Sequence, residues 1–299
     1  MRNLFWIYAG TVVAMLFWGL SYIWYKEVYD YIDPITTIEF RLIISSVLLA
    51  VFSISIRKLQ RIEKVDIAWL LLLSVFQPFL YFLGESLGIK IVSSTLASVI
   101  IATIPLFTPI TGYYFFKERL SLKNYLGILL SITGVLLVMY NDKPATGNPF
   151  TGVLLMFLAV LAGVGYSVVV KKVSGKYNPF TIVTYQNAIG AVFFIPLIMK
   201  WEWHDLVVLK FSMNMFYPLL KLAVFASTFA FLLFTISIKQ LGISKSAVFT
   251  NSIPVFTAVF AFFILKEDMG SLKILGIITV ILGLFLSQLN GLKFRRISQ

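Results

Sequence analysis

The sequence is poor in the residues that carry covalent and metal chemistry. It contains no cysteine and a single histidine, His204, among 299 residues. Without thiolates or clustered histidines a catalytic metal site is not expected, and the few carboxylates are not clustered either. A glycine-rich phosphate loop and a dinucleotide-binding turn are also missing, which argues against ATP drive within the chain. We therefore predict no catalytic residues, no metal, no cofactor and no enzymatic activity.

Charged residues are scarce as well. They make up 13% of the chain and hydrophobic residues 59%, whereas soluble domains carry roughly 25% charged residues. This composition predicts an integral membrane protein with most of its length in the lipid bilayer. The net charge of +12 does not indicate a nucleic-acid partner, because the basic residues are spread over short loops and form no basic face or arm.

Ten apolar stretches have about the 20 residues that a membrane-crossing helix needs. They are residues 4–25, 34–56, 67–89, 92–116, 121–140, 150–170, 179–199, 214–237, 246–265 and 271–289. The eighth is the least regular, because Lys221 interrupts it. Residues 141–149 are polar and contain two prolines, which predicts a linker between the first five stretches and the last five.

The distribution of lysine and arginine predicts the orientation. With the N-terminus in the cytoplasm, 16 of these residues lie in cytoplasmic segments and 7 in external loops. Because basic residues favour the cytoplasmic side, we expect a plasma (inner) membrane protein with both termini cytoplasmic. The predicted units are a first five-helix repeat over 4–140, an external linker over 141–149, a second repeat over 150–289 and a cytoplasmic tail over 290–299.

The two halves repeat each other in sequence. Residues 99–134 match residues 248–283 without a gap at a shift of 149, and the matches include a proline, a Lys-Glu pair and two glycines. Each half has an odd number of spans, so the second half must cross the membrane in the opposite direction. The predicted fold is therefore all-α, with ten transmembrane helices in two inverted five-helix repeats. Such repeats are typical of secondary transporters, which bind substrate near the midplane.

Proline and glycine mark the repeated unit. Pro105 and Pro254 lie near the middle of the fourth and ninth stretches, where proline removes a helical hydrogen bond and kinks the helix. The kinked helices either flex during transport or are static. Glycines seven residues apart predict a close helix contact, within one chain or between two subunits of a homodimer. These glycines are Gly127 and Gly134 in the first copy, and Gly276 and Gly283 in the second.

Four ionisable side chains lie inside predicted spans, where charges are costly and usually functional. They are Glu39, Arg41, Glu85 and Lys221. Arg41 and Glu85 are suited to pair between neighbouring helices. One interpretation is that part of the set binds a zwitterion, with a basic residue taking its carboxylate and an acidic one its amine. The other, which we favour from sequence, is an ion-pair latch, because all four lie towards one surface.

Polar and aromatic residues deeper in the spans are the better candidates for a midplane cavity. They are Trp18, Gln77, Tyr81, Thr103, Tyr185, Gln186, Asn187 and Asn251. Gln186 falls at the position in the second half that Arg41 has in the first. Each of these residues could equally make a hydrogen bond between helices or a core contact.

Taken together, these features resemble the EamA branch of the drug/metabolite transporter superfamily. The resemblance is carried by the ten spans, the repeated proline, the Lys-Glu turns and Trp18-Gly19-Leu20-Ser21-Tyr22 in the first span. The second half departs from this opening, with Gly163-Val164-Gly165-Tyr166-Ser167 and no tryptophan.

The resemblance implies a permease or exporter of small metabolites, such as amino acids, that works by alternating access. The same fold would also suit an importer or flippase of lipid-linked or nucleoside-type molecules. A membrane enzyme acting on lipids is the alternative from another class, and the lack of clustered acids and histidines disfavours it.

Overall fold

A computed structural model describes residues 2–107, 122–140, 142 and 147–288. Every regular element in these ranges is a helix. The helices are α1 (Arg2–Tyr29), α2 (Pro34–Ser55), α3 (Lys64–Ile91), α4 (Ser94–Phe107), α5 (Leu122–Tyr140), α6 (Pro149–Ser174), α7 (Pro179–Trp201), α8 (Met213–Leu241), α9 (Ile243–Thr250 with Ile253–Ile264) and α10 (Ser271–Gln288). A short helix, Trp203–Val208, follows α7.

Seven of these helices are long and apolar enough to cross a membrane, namely α1, α2, α3, α6, α7, α8 and α9. The chain is therefore a multi-pass membrane protein. The other three, α4, α5 and α10, are shorter apolar helices in the described ranges, so the count of ten spans stays a prediction. Residues 108–116 of the predicted fourth span, the Lys117-Glu118 turn and the predicted tail 290–299 lie outside the described residues.

The matched second helices of the two halves, α2 and α7, run antiparallel. Glu202, just beyond α7, accepts a hydrogen bond from the Thr36 amide at the start of α2, at 2.7 Å. At the other end of the pair, the Asn178 side-chain amide, just before α7, donates to the Lys58 carbonyl beyond α2, at 2.6 Å. Helices that are equivalent in sequence thus point in opposite directions, as an inverted repeat requires.

The two ends of the bundle can be told apart by their contacts. Lys26, near the end of α1, donates to the Val92 carbonyl beyond α3, and Asp142 accepts from the Ser93 amide before α4. Lys273, near the start of α10, lies 3.8 Å from Asp142. We call this the linker end. The opposite end, where α1 begins and α10 finishes, is the terminal end.

The predicted glycine contact lies within one chain, between α5 and α10. A Cβ added to Gly127 would be 2.6 Å from the Gly283 carbonyl oxygen, and one added to Gly134 would be 2.7 Å from the Gly276 oxygen. Each glycine therefore packs against the repeat equivalent of the other. Ser131, midway between the first pair, donates to the carbonyl of its own equivalent, Val280, at 3.3 Å. The repeat axis passes through this seam.

Helices α4 and α9 break at equivalent places, just before their central prolines. In α4 the amide and the hydroxyl of Thr103 both donate to the Ile100 carbonyl, at 3.0 and 2.6 Å. In α9 the same two groups of Ser252 donate to the Phe249 carbonyl, at 3.0 and 2.7 Å. Proline disrupts the helical ladder one turn back, and the hydroxyl residue supplies local hydrogen bonds at the break.

The third helix of each half contains a widened, π-helical segment, Val75–Leu80 in α3 and Leu222–Ala230 in α8. In α3 the backbone of Gln77 leaves the helical region, with φ −149° and ψ 120°. Pro78 then packs onto Gly190 of α7, where an added Cβ would lie 2.1 Å from the proline ring. These interruptions leave backbone groups outside the regular helical ladder and place polar side chains within apolar helices, which is tolerated where they face protein or a cavity.

Candidate functional site

A cavity lies between the two halves, with an empty volume of about 880 Å³ that includes its open part. Its walls come from α1, α3, α4, α6, α8 and α9, and one side chain of α2, Arg41, reaches into it. The breaks in α3, α4 and α9 border this space, since Gln77, Pro105 and Thr250 all line it. The irregular backbone is thus placed around the cavity rather than against lipid.

Glu85 of α3 lines the cavity inside a cluster of tyrosines. Its carboxylate accepts hydrogen bonds from Tyr81 at 3.0 Å and from Tyr22 and Tyr25 at 3.4 Å. The residue is 6% exposed. Three hydroxyl donors give a buried carboxylate partial compensation for the water it has lost.

Arg41 of α2 lies on the far side of Tyr25 from Glu85. Its guanidinium donates to the Tyr25 hydroxyl, and to the Ser227 hydroxyl at 2.8 Å. It also lies over the Phe82 ring, 4.3 Å from the ring centre. The predicted pairing of Arg41 with Glu85 is therefore indirect, with the Tyr25 hydroxyl between the two charges. The cavity gains one cation and one anion, and no net charge.

The remaining wall is mostly apolar and contains a patch of aromatic rings. Trp18 packs edge-on against Phe231 and Phe234, with ring centres 5.2 and 4.9 Å away. Tyr81, Phe82 and Gln77 complete the wall on the α3 side. An apolar wall with a few convergent polar groups is the usual composition of a small-molecule site.

Five of the candidates from sequence lie outside the cavity wall, and four of these are buried between helices. Thr103 is buried at the α4 break, and Asn251 is buried at the α9 break. Asn187 donates to the Ser45 hydroxyl at 2.9 Å and so joins α7 to α2. Gln186 is fully buried in α7.

Tyr185, the remaining polar candidate, is half-buried on α7 and also lies outside the wall. Trp18, Gln77 and Tyr81, in contrast, line the cavity together.

The four intramembrane charges divide into two groups. Arg41 and Glu85 meet at the cavity, whereas Glu39 and Lys221 do not line it. Lys221 is 44% exposed and lies 3.9 Å from Glu27, which fits a surface ion pair. Glu39 is buried, and its Oε2 atom has no hydrogen-bond partner.

Comparison with known proteins agrees with this architecture. The model of the EamA-like transporter family matches residues 5–140 and 150–289. The chain belongs to the EamA-like transporter family. It is therefore a membrane transporter and not an enzyme, and it acts on small-molecule substrates within the bilayer.

Several of its relatives are transporters by name. An uncharacterized transporter of Archaeoglobus fulgidus is 26% identical over 94% of this chain and 97% of the relative. The uncharacterized transporter YetK of Bacillus subtilis is 25% identical over 94% of this chain and 86% of the relative. A solved crystal structure has a TM-score of 0.70 and 12% identity, over 94% of this chain and 99% of that one. At that identity the likeness concerns the fold alone.

The linker end of this EamA-like transporter is closed by carboxylates that cap helices of the other half. Glu267, beyond α9, accepts from the amides of Ser94 and Thr95 at 2.8 and 3.4 Å, and from the Thr95 hydroxyl at 2.7 Å. Lys273 lies 3.3 Å from Glu267, with its side chain 5% exposed. A carboxylate at a helix N-terminus satisfies free amides and interacts favourably with the helix dipole.

Glu202 closes a second contact of the same kind. Its carboxylate accepts from the amides of Ile35 and Thr36 at 3.1 and 2.7 Å, and from the Thr36 hydroxyl at 2.8 Å. Both Glu202 and Glu267 belong to the second half, and both helices that they cap belong to the first.

Sequence reasoning predicted Tyr81 but missed the tyrosines that α1 contributes to the site. Tyr22 and Tyr25 reach Glu85, and Tyr29 donates to the Ser86 carbonyl at 3.1 Å. A signal was available, because positions 22, 25 and 29 share one helix face. The capping roles of Glu202 and Glu267 had no such signal, since each joins segments far apart in sequence.

Proposed function

We propose that the protein is a secondary transporter that moves zwitterionic small metabolites, such as amino acids, by alternating access. The observation that carries the proposal is the meeting of Arg41 and Glu85 at one aromatic-walled cavity. A substrate carboxylate would bind the guanidinium and a substrate ammonium group the carboxylate. The apolar part of the substrate would lie on Trp18 and the neighbouring phenylalanines.

The chemistry of the pair favours a zwitterion over an ion of one sign. A lone cation would bring an unpaired charge beside Arg41, and a lone anion would do the same beside Glu85. Unpaired charges in a desolvated site are strongly disfavoured. A molecule that carries both charges keeps the site neutral.

The closed linker end supports a conformation that is open towards the terminal end. The cavity lining reaches Ile238 and Ala247, close to the terminal-end limits of α8 and α9. With cytoplasmic termini, this is an inward-facing state in the plasma membrane. Breaking the contacts of Glu202 and Glu267 would open the external side.

The proposal is tested by thermal shift of the purified protein with three probes that share one skeleton. Phenylalanine carries both charges, phenethylamine only the cation and hydrocinnamate only the anion. A bound ligand raises the melting temperature in a concentration-dependent way. We expect phenylalanine to stabilise the protein more than phenethylamine or hydrocinnamate does. If the site prefers another side chain, the corresponding amino acid should stabilise the protein more than its own amine and carboxylate analogues.

Two variants connect the result to the cavity. Arg41→Gln and Glu85→Gln should each weaken zwitterion binding at least about tenfold, which corresponds to about 1.4 kcal/mol. Glu39→Gln is the matched control, since it neutralises a buried charge on α2 outside the cavity. Equal stabilisation by phenethylamine would refute the zwitterion proposal. Stabilisation by lipids or isoprenoid phosphates alone would support the flippase alternative.

A further inference from the structure

Three polar side chains of the second half form a cluster behind the cavity wall. They are Tyr166 of α6, Gln186 of α7 and Thr235 of α8, which are 4%, 0% and 1% exposed. Tyr166 itself lines the cavity. Its hydroxyl lies next to the side chains of Gln186 and Thr235.

The cluster has more hydrogen-bonding capacity than the protein uses. The Tyr166 hydroxyl, the Thr235 hydroxyl and both polar atoms of the Gln186 amide lie close enough to interact with one another, but none of them makes a hydrogen bond of acceptable geometry. Buried polar atoms are almost always hydrogen-bonded, so four unbonded ones in one place call for an explanation. Two hydroxyls and an amide offer both donors and acceptors, and none of the three carries a charge.

The repeat relates this cluster to the charged site. Gln186 is the equivalent of Arg41 at a shift of 145. Thr235 is the equivalent of Ser86, the neighbour of Glu85, at the shift of 149 that relates the two copies. Tyr166 stands on α6, the counterpart of α1, which supplies tyrosines to the charged site. The cluster thus contains the neutral counterpart of Arg41, in helices of the opposite direction.

We infer that Tyr166, Gln186 and Thr235 form a second subsite, which takes an uncharged hydrogen-bonding group of the transported molecule and is closed in this conformation. In an inverted-repeat transporter the two halves exchange arrangements as access alternates. Arg41 lines the cavity here, so its counterpart Gln186 would line it in the other state. The inference rests on the proposed function, because the molecule is the one held by the charged pair.

Accessibility to a thiol reagent tests whether the subsite opens. The chain has no cysteine, so a single engineered thiol is the only one that N-ethylmaleimide can modify. Thr235→Cys is compared with Ser167→Cys, which lines the cavity, and with Ser131→Cys, which is buried in the α5–α10 seam. We expect Thr235→Cys to react more slowly than the cavity thiol and at least about tenfold faster than the seam thiol. Reaction as slow as in the seam would overturn the inference.

The chemical class is tested with ligands that differ in one polar group. Tyrosine and phenylalanine differ by a single hydroxyl, and we expect tyrosine to protect Thr235→Cys at about tenfold lower concentration. Gln186→Met, which keeps the length of the side chain, should remove the difference. Equal protection by the two amino acids in the presence of Gln186 would overturn the inference.

Failure of the zwitterion proposal is recognised separately. If no amino acid protects Ser167→Cys from modification by N-ethylmaleimide, the zwitterion proposal fails. Uncharged probes then test whether the subsite exists. Benzamide has N–H donors that methyl benzoate lacks. Stronger protection of Thr235→Cys by benzamide, lost in Gln186→Met, would uphold the subsite. Absence of that preference would overturn it.

Discussion

The closed linker end predicts how one substitution will shift the conformational equilibrium. Glu267→Gln keeps one acceptor oxygen for Ser94 or Thr95 but removes the other, together with the negative charge. A hydrogen bond to a charged group contributes about 1.5–3 kcal/mol, and a charge at a helix N-terminus about 0.3–1 kcal/mol. The two effects overlap, so we expect the closed linker end to lose about 2–3 kcal/mol.

This loss converts into a measurable change in population. At about 1.4 kcal/mol for each factor of ten, the equilibrium should move about 30- to 150-fold towards opening of the linker end. If about 1% of molecules are open there at first, roughly 20–60% will be open in Glu267→Gln. A reporter of the open state should therefore respond by more than about tenfold.

Ser21→Cys supplies that reporter, because Ser21 lines the cavity. A membrane-impermeant maleimide added on the linker side reaches this thiol only when the linker end opens. We expect its labelling rate to rise more than about tenfold when Glu267→Gln is added. Asp268→Asn is the matched control, since it removes the same charge from the adjacent, exposed residue. Equal labelling rates in the two variants would refute the capping argument.

Three further substitutions test the packing. Gly134→Ala should cost about 1–3 kcal/mol of stability, because the added Cβ would lie 2.7 Å from backbone atoms of α10. Gly175→Ala is the control in the same melting experiment, and it should cost little because the atom nearest to its Cβ is 3.4 Å away. Gly190→Ala should lower the melting temperature as well, because its Cβ would lie 2.1 Å from Pro78. Lys273→Met leaves the Glu267 carboxylate without its buried cation, and should speed linker-side labelling of the cavity reporter; an unchanged rate would contradict that role.

The predictable parts of the fold are those marked by the same residue type at equivalent positions of the two repeats. Pro105 and Pro254 predicted the interrupted helices, and the structure adds that Thr103 and Ser252 make the same hydrogen bonds at the breaks. The paired glycines predicted a close contact without naming the partner. Gly127 has no side chain, which allows a neighbouring backbone to approach closely. The structure shows that this backbone belongs to α10 of the same chain.

The parts that were not predictable depend on side chains brought together by packing. From the sequence, Arg41 and Glu85 were identified as charges that are costly within a membrane. Their position towards one membrane surface favoured an ion-pair latch. The tyrosine between them and the Phe82 ring over the guanidinium place them at the cavity instead. The two π-helical segments were not predicted either, and only the one in α3 contains a proline, Pro78.

The backbone symmetry and the charge distribution of this transporter have different consequences. A repeat that is symmetric in its breaks and its seam gives two end states of similar architecture, because either half can take either arrangement. The charges are not symmetric, since Gln186 stands at the repeat position of Arg41 and Phe234 at that of Glu85. The capping carboxylates Glu202 and Glu267 both hold the linker end, whereas the described contacts at the start of α7 are amide and hydroxyl groups.

This asymmetry gives the two end states different energies. A zwitterion bound between Arg41 and Glu85 changes the electrostatics of one half far more than those of the other. A ligand shifts an equilibrium only through its different affinity for the two states. Under the proposed function, the charged half is therefore where substrate binding and the opening of the linker end become coupled. Swapping Arg41 and Gln186 in one chain should then invert the effect of substrate on linker-side labelling of Ser21→Cys, and an unchanged sign would show that the coupling lies elsewhere.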